Sequence, residues 1–216
     1  MQLQLNHLHT HRERLHTHHG DRSLFAVHGA GCTKNPDICF VFINPTGTNV
    51  SATKERKGIR APRLGTKNIW KIFYASGILN KKMFDTLQTM KAKDRTEEFA
   101  ETLYKEIAAK KIYITNLAKC TQTDARPLKD KIFKDYLQYT LEELATLNPK
   151  HIITFGNQVS SLLLGKPIKV SEYTGKNHES LKIKNQTYKI YPTFYPVGQG
   201  MRNMPAAIAR IKKIIK

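Results

Sequence analysis

Two asparagines, each at the end of an apolar run, carry the side chains best placed for chemistry. Asn44 follows the unbroken apolar residues 38–43, a run that fits a strand buried on both faces. Asn116 falls near the end of a second such run, residues 112–117. A carboxamide both donates and accepts hydrogen bonds, so it can read the edge of a base. After Asn44 the chain breaks at Pro45, Thr46 and Gly47. Proline cannot continue a central strand, and glycine takes backbone angles that other residues avoid. A loop with seven basic side chains follows (Lys54, Arg56, Lys57, Arg60, Arg63, Lys67, Lys71), against one acid, Glu55. A polar amide at the C-terminal lip of a buried strand, beside a basic loop, is where an open α/β sheet usually places its site. Asn44 is therefore the candidate centre of chemistry.

The same sheet edge should collect Asn116-Leu117-Ala118-Lys119, Gly156-Asn157 and Tyr195-Pro196-Val197-Gly198. These are amides, hydroxyls, glycines and bases, with little acid. Backbone amides and helix N-termini can hold phosphate. No phosphate loop of the Walker type, no Gly-x-Gly-x-x-Gly turn and no Ser-His-Asp grouping falls at the expected places. Three cysteines, Cys32, Cys39 and Cys120, make neither a disulfide framework nor a four-thiolate site. No metal or other cofactor is expected.

The elements that must position these groups alternate between strand and helix. Thr66 can cap a helix carrying Ile69, Ile72 and Phe73, with Trp70 in the core and Gly77 as its stop. A second helix spans residues 96–109, with Phe99, Leu103 and Ile107 on one face and Glu97 and Glu98 at its positive end. Residues 130–147 show the clearest stripe: Ile132, Phe133, Tyr136, Leu137, Leu141 and Leu144. Residues 151–155 form a third strand, and Gly156-Asn157 opens a helix that closes at Gly165. A polar stretch to residue 185 holds loops and a small hairpin arm, and residues 187–194 give a fourth strand. A last helix begins at Pro205, with Ile208, Ile211 and Ile215 facing in and Arg210, Lys212, Lys213 and Lys216 facing out. The fold class is α/β: a three-layer α/β/α sandwich on a central four-stranded, mostly parallel sheet with right-handed crossovers. Residues 1–22 form a separate extension holding six of the nine histidines (His7, His9, His11, His16, His18, His19). Without a sustained apolar period, this extension is predicted to be disordered.

Thirty-six Lys and Arg against 17 Asp and Glu leave a formal charge of +19. Such a surplus makes polyanions the leading partner, with an acidic membrane surface as the rival. No apolar run reaches the roughly 18–20 residues of a membrane span, and the start lacks the apolar core of a signal peptide. Cysteine usage points to a reducing, intracellular compartment, and the protein is expected to be a monomer.

Along residues 27–214 the chain resembles the uracil-DNA glycosylase superfamily. Val27-His28-Gly29-Ala30-Gly31 with Asn35-Pro36-Asp37-Ile38 is similar to the lead-in of the thermostable iron–sulfur branch. Phe42-Ile43-Asn44-Pro45 resembles the first motif of the mismatch-specific and single-strand-selective branches, and Asn68-Ile69-Trp70-Lys71, with Ser76-Gly77 beyond it, is similar to a stretch of the mismatch-specific branch. Ile114-Thr115-Asn116-Leu117-Ala118-Lys119-Cys120 and Leu147-Asn148-Pro149-Lys150-His151 are similar to the iron–sulfur branch. Pro192-Thr193-Phe194-Tyr195-Pro196 and Met201-Arg202-Asn203 resemble the segment that carries His-Pro-Ser and the intercalating loop there. Tyr195 and Val197 stand in place of that histidine and serine, and only Cys120 matches one of that branch's four cysteines. The aromatic that stacks on the flipped base has no clear counterpart in the first loop.

The resemblance implies a DNA-repair glycosylase acting on uracil or another deaminated base flipped out of single- or double-stranded DNA. Asn44 would position the attacking water and Tyr195 would donate to the leaving base. Asn116, with Ile43 and Pro45, would hold the base. Thr46, Gly47, Lys67, Lys119, Gly156 and Asn157 would meet phosphate, and Met201 and Arg202 would wedge into the duplex. Two other classes fit the residues: a nucleic-acid-binding module that has lost catalysis, and a small-molecule α/β enzyme with an incidentally basic surface.

Overall fold

The computed structural model describes residues 2–216, apart from the side chains of residues 2–4, 6, 198 and 199. In chain order the elements are α1 (Gln2–His19), β1 (Ala30–Gly31), β2 (Ile38–Phe42), α2 (Asn68–Ala75), α3 (Lys81–Thr89), α4 (Glu97–Ala109) and β3 (Ile112–Asn116). Then come α5 (Asp130–Leu147), β4 (His151–Phe155), α6 (Asn157–Leu164), β5 (Glu179–Ile183), β6 (Gln186–Thr193) and α7 (Met204–Ile215).

The sheet runs β1-β3-β2-β4-β6-β5. The four central strands are parallel, as the long apolar runs require, and β2 lies between β3 and β4 with every residue buried. The sheet has six strands instead of four because β1 adds antiparallel to β3 and β5 adds antiparallel to β6. These edges are short or exposed on alternate residues, so neither showed as an apolar run. Alternation along β2 divides the core in two. Ile38, Phe40 and Phe42 pack with α2, α4 and α7, whereas Cys39 and Val41 pack with α1, α5 and α6. Trp70 is fully buried in the first half. The layers are those of an α/β/α sandwich.

Several ends follow from local chemistry. Asn80 and Thr96 accept from the third backbone N–H of α3 and α4 through their side chains. Asn148 ends α5 in the left-handed conformation (φ 53°) and donates its N–H to Leu144. Thr66 does not cap α2; its hydroxyl bonds Arg63 O, and the helix starts one residue later than that reading placed it.

Two further expectations are corrected. Residues 2–19 form α1, not a disordered tail. Leu5, Leu8, Arg12 and His16 recur at helical spacing and are buried, with α1 lying on α5. A charged residue in the stripe breaks its apolar pattern. Arg12 Nη2 meets Glu143 Oε2 at 3.1 Å, with both side chains fully buried. Arg210, expected to face out on α7, is also buried. It donates to Pro192 O (2.9 Å), Gly175 O (3.0 Å) and Asn177 O (2.6 Å), so its charge is dispersed over carbonyls instead of solvent.

Candidate active site

At the C-terminal ends of β2 and β3, Phe42 lies opposite Asn116. The ladder continues past both strands: Leu117 N donates to Phe42 O (2.6 Å) and Ala118 N to Ile43 O (2.9 Å). Gln122 N donates to Pro45 O (3.2 Å) and Gly47 N to Gln122 O (2.7 Å), which fixes the turn after Asn44. A narrow cleft opens here, lined by Pro45, Thr46, Thr48, Asn49, Arg63, Thr66 and Asn116. Asn44 adjoins it through Pro45. Its Nδ2 donates to Pro45 O (3.0 Å), and among the described residues its Oδ1 accepts no hydrogen bond, leaving it open to water.

Asn116 is 1% exposed. Its Oδ1 accepts from Arg63 Nη2 at 3.4 Å, while its Nδ2 is buried with no acceptor among the described residues. A buried N–H without a partner is costly, so this amide is a standing demand for an acceptor. Arg63 was not singled out among the loop bases, yet it enters the site. Its guanidinium stacks 4.0 Å from the centre of the Phe42 ring, and Nη1 donates to Tyr195 OH at 2.8 Å. Its backbone sits at φ 66°.

The loop that presents it is pinned from below. Asn49 Nδ2 and Ser51 Oγ donate to Ala61 O, Tyr104 OH to Pro62 O, and Trp70 Nε1 to Arg63 O at 3.1 Å. Gly65 is required here, because a Cβ would lie 1.4 Å from Thr48 O. Gly65→Ala should cost on the order of 2 kcal/mol or more, since backbone must move. A urea-unfolding midpoint equal to wild type would contradict the close approach.

A family model described as Uracil DNA glycosylase superfamily matches residues 28–214. The chain belongs to this superfamily. No curated protein matches the chain. Superfamily membership brings a DNA glycosylase fold whose members act on DNA and typically hydrolyse N-glycosidic bonds. The cluster of its iron–sulfur branch does not fit the residues of this chain. Cys39 and Cys120 are buried on β2 and just past β3, and Cys32 is only partly buried, donating to Lys34 O. Burial raises the Cys39 thiol well above its usual range and Cys120 to about 11, which disfavours the thiolates that ligation needs.

Other residues singled out by likeness to the superfamily fall in several places. Tyr195 reaches the site: its ring centre is 6.0 Å from that of Phe42, edge to face, and its hydroxyl meets Arg63. Gly156 (φ 91°) lies below it, with Tyr195 Cβ 3.6 Å from where a side chain would begin. Ile43 is half-buried against the α5 side of the core. Asn157 is exposed, and its Oδ1 accepts from Val170 N (2.9 Å), a structural tie away from the cleft. Lys67 is exposed and bonds Gln88 O. Met201 lines a separate cleft with Met204, Ile208 and Lys212, and Arg202 is exposed beside it.

Lys119 is a correction. It is fully buried and cannot meet phosphate. Its ammonium meets Glu143 Oε2 at 2.9 Å, donates to Thr115 Oγ1 at 2.6 Å and also bonds Asn116 O. Glu143 further accepts from Tyr113 OH (2.9 Å). The partners respond unequally. Burial opposes both charges, but two cations share one carboxylate. Arg12 and Lys119 therefore hold Glu143 at about 2, whereas burial, with repulsion from Arg12 added to it, lowers Lys119 to about 8. The cluster braces the backbone of Asn116 from beneath.

Proposed function

We propose that this protein is a monofunctional DNA glycosylase. It would hydrolyse the N-glycosidic bond of uracil, or another deaminated base, flipped out of DNA. The observation that carries this reading is the meeting of Pro45, Thr46 and a buried, half-satisfied Asn116 at the ends of two parallel strands, beside a basic loop. The Asn116 amide offers one acceptor and one donor in fixed relation. It thus matches the N–H and carbonyl of uracil, and cytosine presents the opposite polarity. A site with such buried groups rejects a guest that leaves them unpaired.

Asn44 Oδ1 would orient the water. An amide is a poor base, so bond breaking would run ahead of attack, with the departing base anion stabilised by hydrogen-bond donors in a dry site. Tyr195 is the donor expected from likeness. Exposed Lys54, Lys57, Lys67 and Lys71 would hold phosphates, with Thr46 and Gly47 near the damaged nucleotide and Met201 and Arg202 at the gap left in the duplex. The protein would act as a monomer, inside the cell, without a cofactor. Among the described residues, no helix is long and apolar enough to cross a membrane.

The test is formation of alkali-labile abasic sites at excess enzyme, on oligonucleotides carrying uracil, hypoxanthine, xanthine or a G·T pair. Cleavage of none of them would leave the second reading, a binding module without catalysis, which the filling of the slot by Arg63 favours. Asn116→Asp should shift the preference between uracil and cytosine, because an acceptor or a protonated oxygen replaces the amide donor. Unchanged relative rates on the two bases would remove Asn116 from base choice.

A further inference from the structure

The cleft at the strand ends is already occupied by the protein itself. With Arg63 in place, room for a water-sized sphere is about 10 Å³, at the lower limit for a single water. The occupant resembles the guest proposed above in shape. A guanidinium is planar, and here one face lies 4.0 Å from the Phe42 ring centre while its edge donates to Tyr195 OH and Asn116 Oδ1. It is nevertheless a poor fit. A guanidinium has donors only, so it cannot serve the buried Nδ2 of Asn116. Arg63 is 9% exposed, and no carboxylate among the described residues pairs with it. A buried cation without an acid is held at a cost.

We propose that Arg63 is the gate of the base slot, and that a DNA phosphate, not the base, opens it. The inference rests on the glycosylase reading. The loop backbone stays fixed, since Arg63 O takes bonds from Thr66 N, Thr66 Oγ1 and Trp70 Nε1. Opening is therefore a swing of one side chain. A neutral base or nucleoside offers the guanidinium no acidic partner to replace the contacts it would give up with Phe42, Tyr195 and Asn116. A strand brings phosphates, which pair with guanidinium groups in two-pronged fashion. Arg63 thus selects bases carried on a polynucleotide over free bases, and it sets the slot open only when a backbone lies across the basic loop.

The experiment measures free-uracil binding to the full chain by calorimetry, alone and with a saturating abasic oligonucleotide, for wild type, Arg63→Ala and Arg63→Gln. Wild type should bind free uracil at least 10-fold more tightly with the abasic strand than without it. Arg63→Ala should bind uracil tightly in both conditions, with less than a 3-fold effect of the strand. Arg63→Gln, which keeps most of the bulk and loses the charge, should stay closed to uracil in both, and it provides the comparison if the alanine variant fails to fold. Equal uracil affinity for wild type and Arg63→Ala without the strand, or no effect of the strand on wild type, would overturn the gate. If wild type cleaves uracil-containing DNA in either case, the glycosylase reading survives that failure. If no protein binds uracil with or without the strand, and no damaged strand is cleaved, both fall.

Discussion

Glu143→Ala should lower stability by at least about 3–5 kcal/mol, because it leaves two buried cations, Arg12 and Lys119, without their shared acid. For a chain of this size that is a fall in melting temperature of roughly 2–4 °C per kcal/mol. Arg12→Ala should cost less, on the order of 2 kcal/mol, since Lys119 still neutralises the carboxylate. That ranking distinguishes a shared carboxylate from two independent pairs, and urea unfolding followed by Trp70 fluorescence measures it. The same group predicts a response to acid. Glu143 is held at about 2 in the folded chain against an ordinary value of 4.5, so its contribution is complete above about pH 4.5 and is lost as pH falls toward 2. In Arg12→Ala the folded value should rise, so the loss in acid should be smaller and should end at higher pH. Removal of residues 2–19 should combine the loss of Arg12 with exposure of the surface that Leu5 and Leu8 cover, and so destabilise the domain. A truncated chain as stable as the full one would show that α1 is dispensable.

The residues that could be read from the sequence differ physically from those that could not. Four parallel strands and the helices α4, α5, α6 and α7 announced themselves because burial on both faces, or on one stripe, leaves a local apolar pattern. Residues 130–147 and 151–155 were placed with the ends the structure shows. What stayed hidden depends on partners far along the chain. Arg12 is buried because Glu143 lies 131 residues away, and Lys119 looked like a phosphate ligand for the same reason. Arg210 breaks its helix pattern because carbonyls of β6 and the segment before β5 receive it. α3 leaves almost no apolar pattern in the sequence, because only Leu87 of its nine residues is buried.

The site shows the same division. Asn44 and Asn116 were legible as amides at strand ends, since strand polarity alone brings them to one edge. Arg63 was one basic residue among seven. Nothing local separates it from Lys57 or Lys67, and its entry into the slot follows from Gly65 lying against Thr48 and from carbonyls pinned by Asn49, Tyr104 and Trp70. Phe42, the last residue of β2, belongs to the buried apolar run that precedes Asn44, and only the structure shows that its ring carries the Arg63 guanidinium at the slot.

Asn44→Ala should reduce the single-turnover rate on uracil-containing DNA by roughly 100-fold or more, the scale of losing one well-placed polar group in a water-excluded site. DNA affinity should stay close to wild type, because exposed lysines spread over the loop supply the charge, and binding should weaken steeply with salt in both proteins. An interaction made only in the transition state appears in the rate and not in ground-state binding. The side chain's one described bond, from Nδ2 to Pro45 O, raises a competing explanation, that the turn is merely disturbed. Two measurements separate them. The turn is also held by Gln122 through Pro45 O and Gly47 N, so the melting temperature should change by no more than a few degrees. Asn44→Asp, which keeps an oxygen for the water but loses the donor to Pro45, should recover part of the rate despite the weakened turn. If Asn44→Ala cleaves as fast as wild type at saturating enzyme, water is oriented by some other group and this edge of the sheet loses its claim to the chemistry.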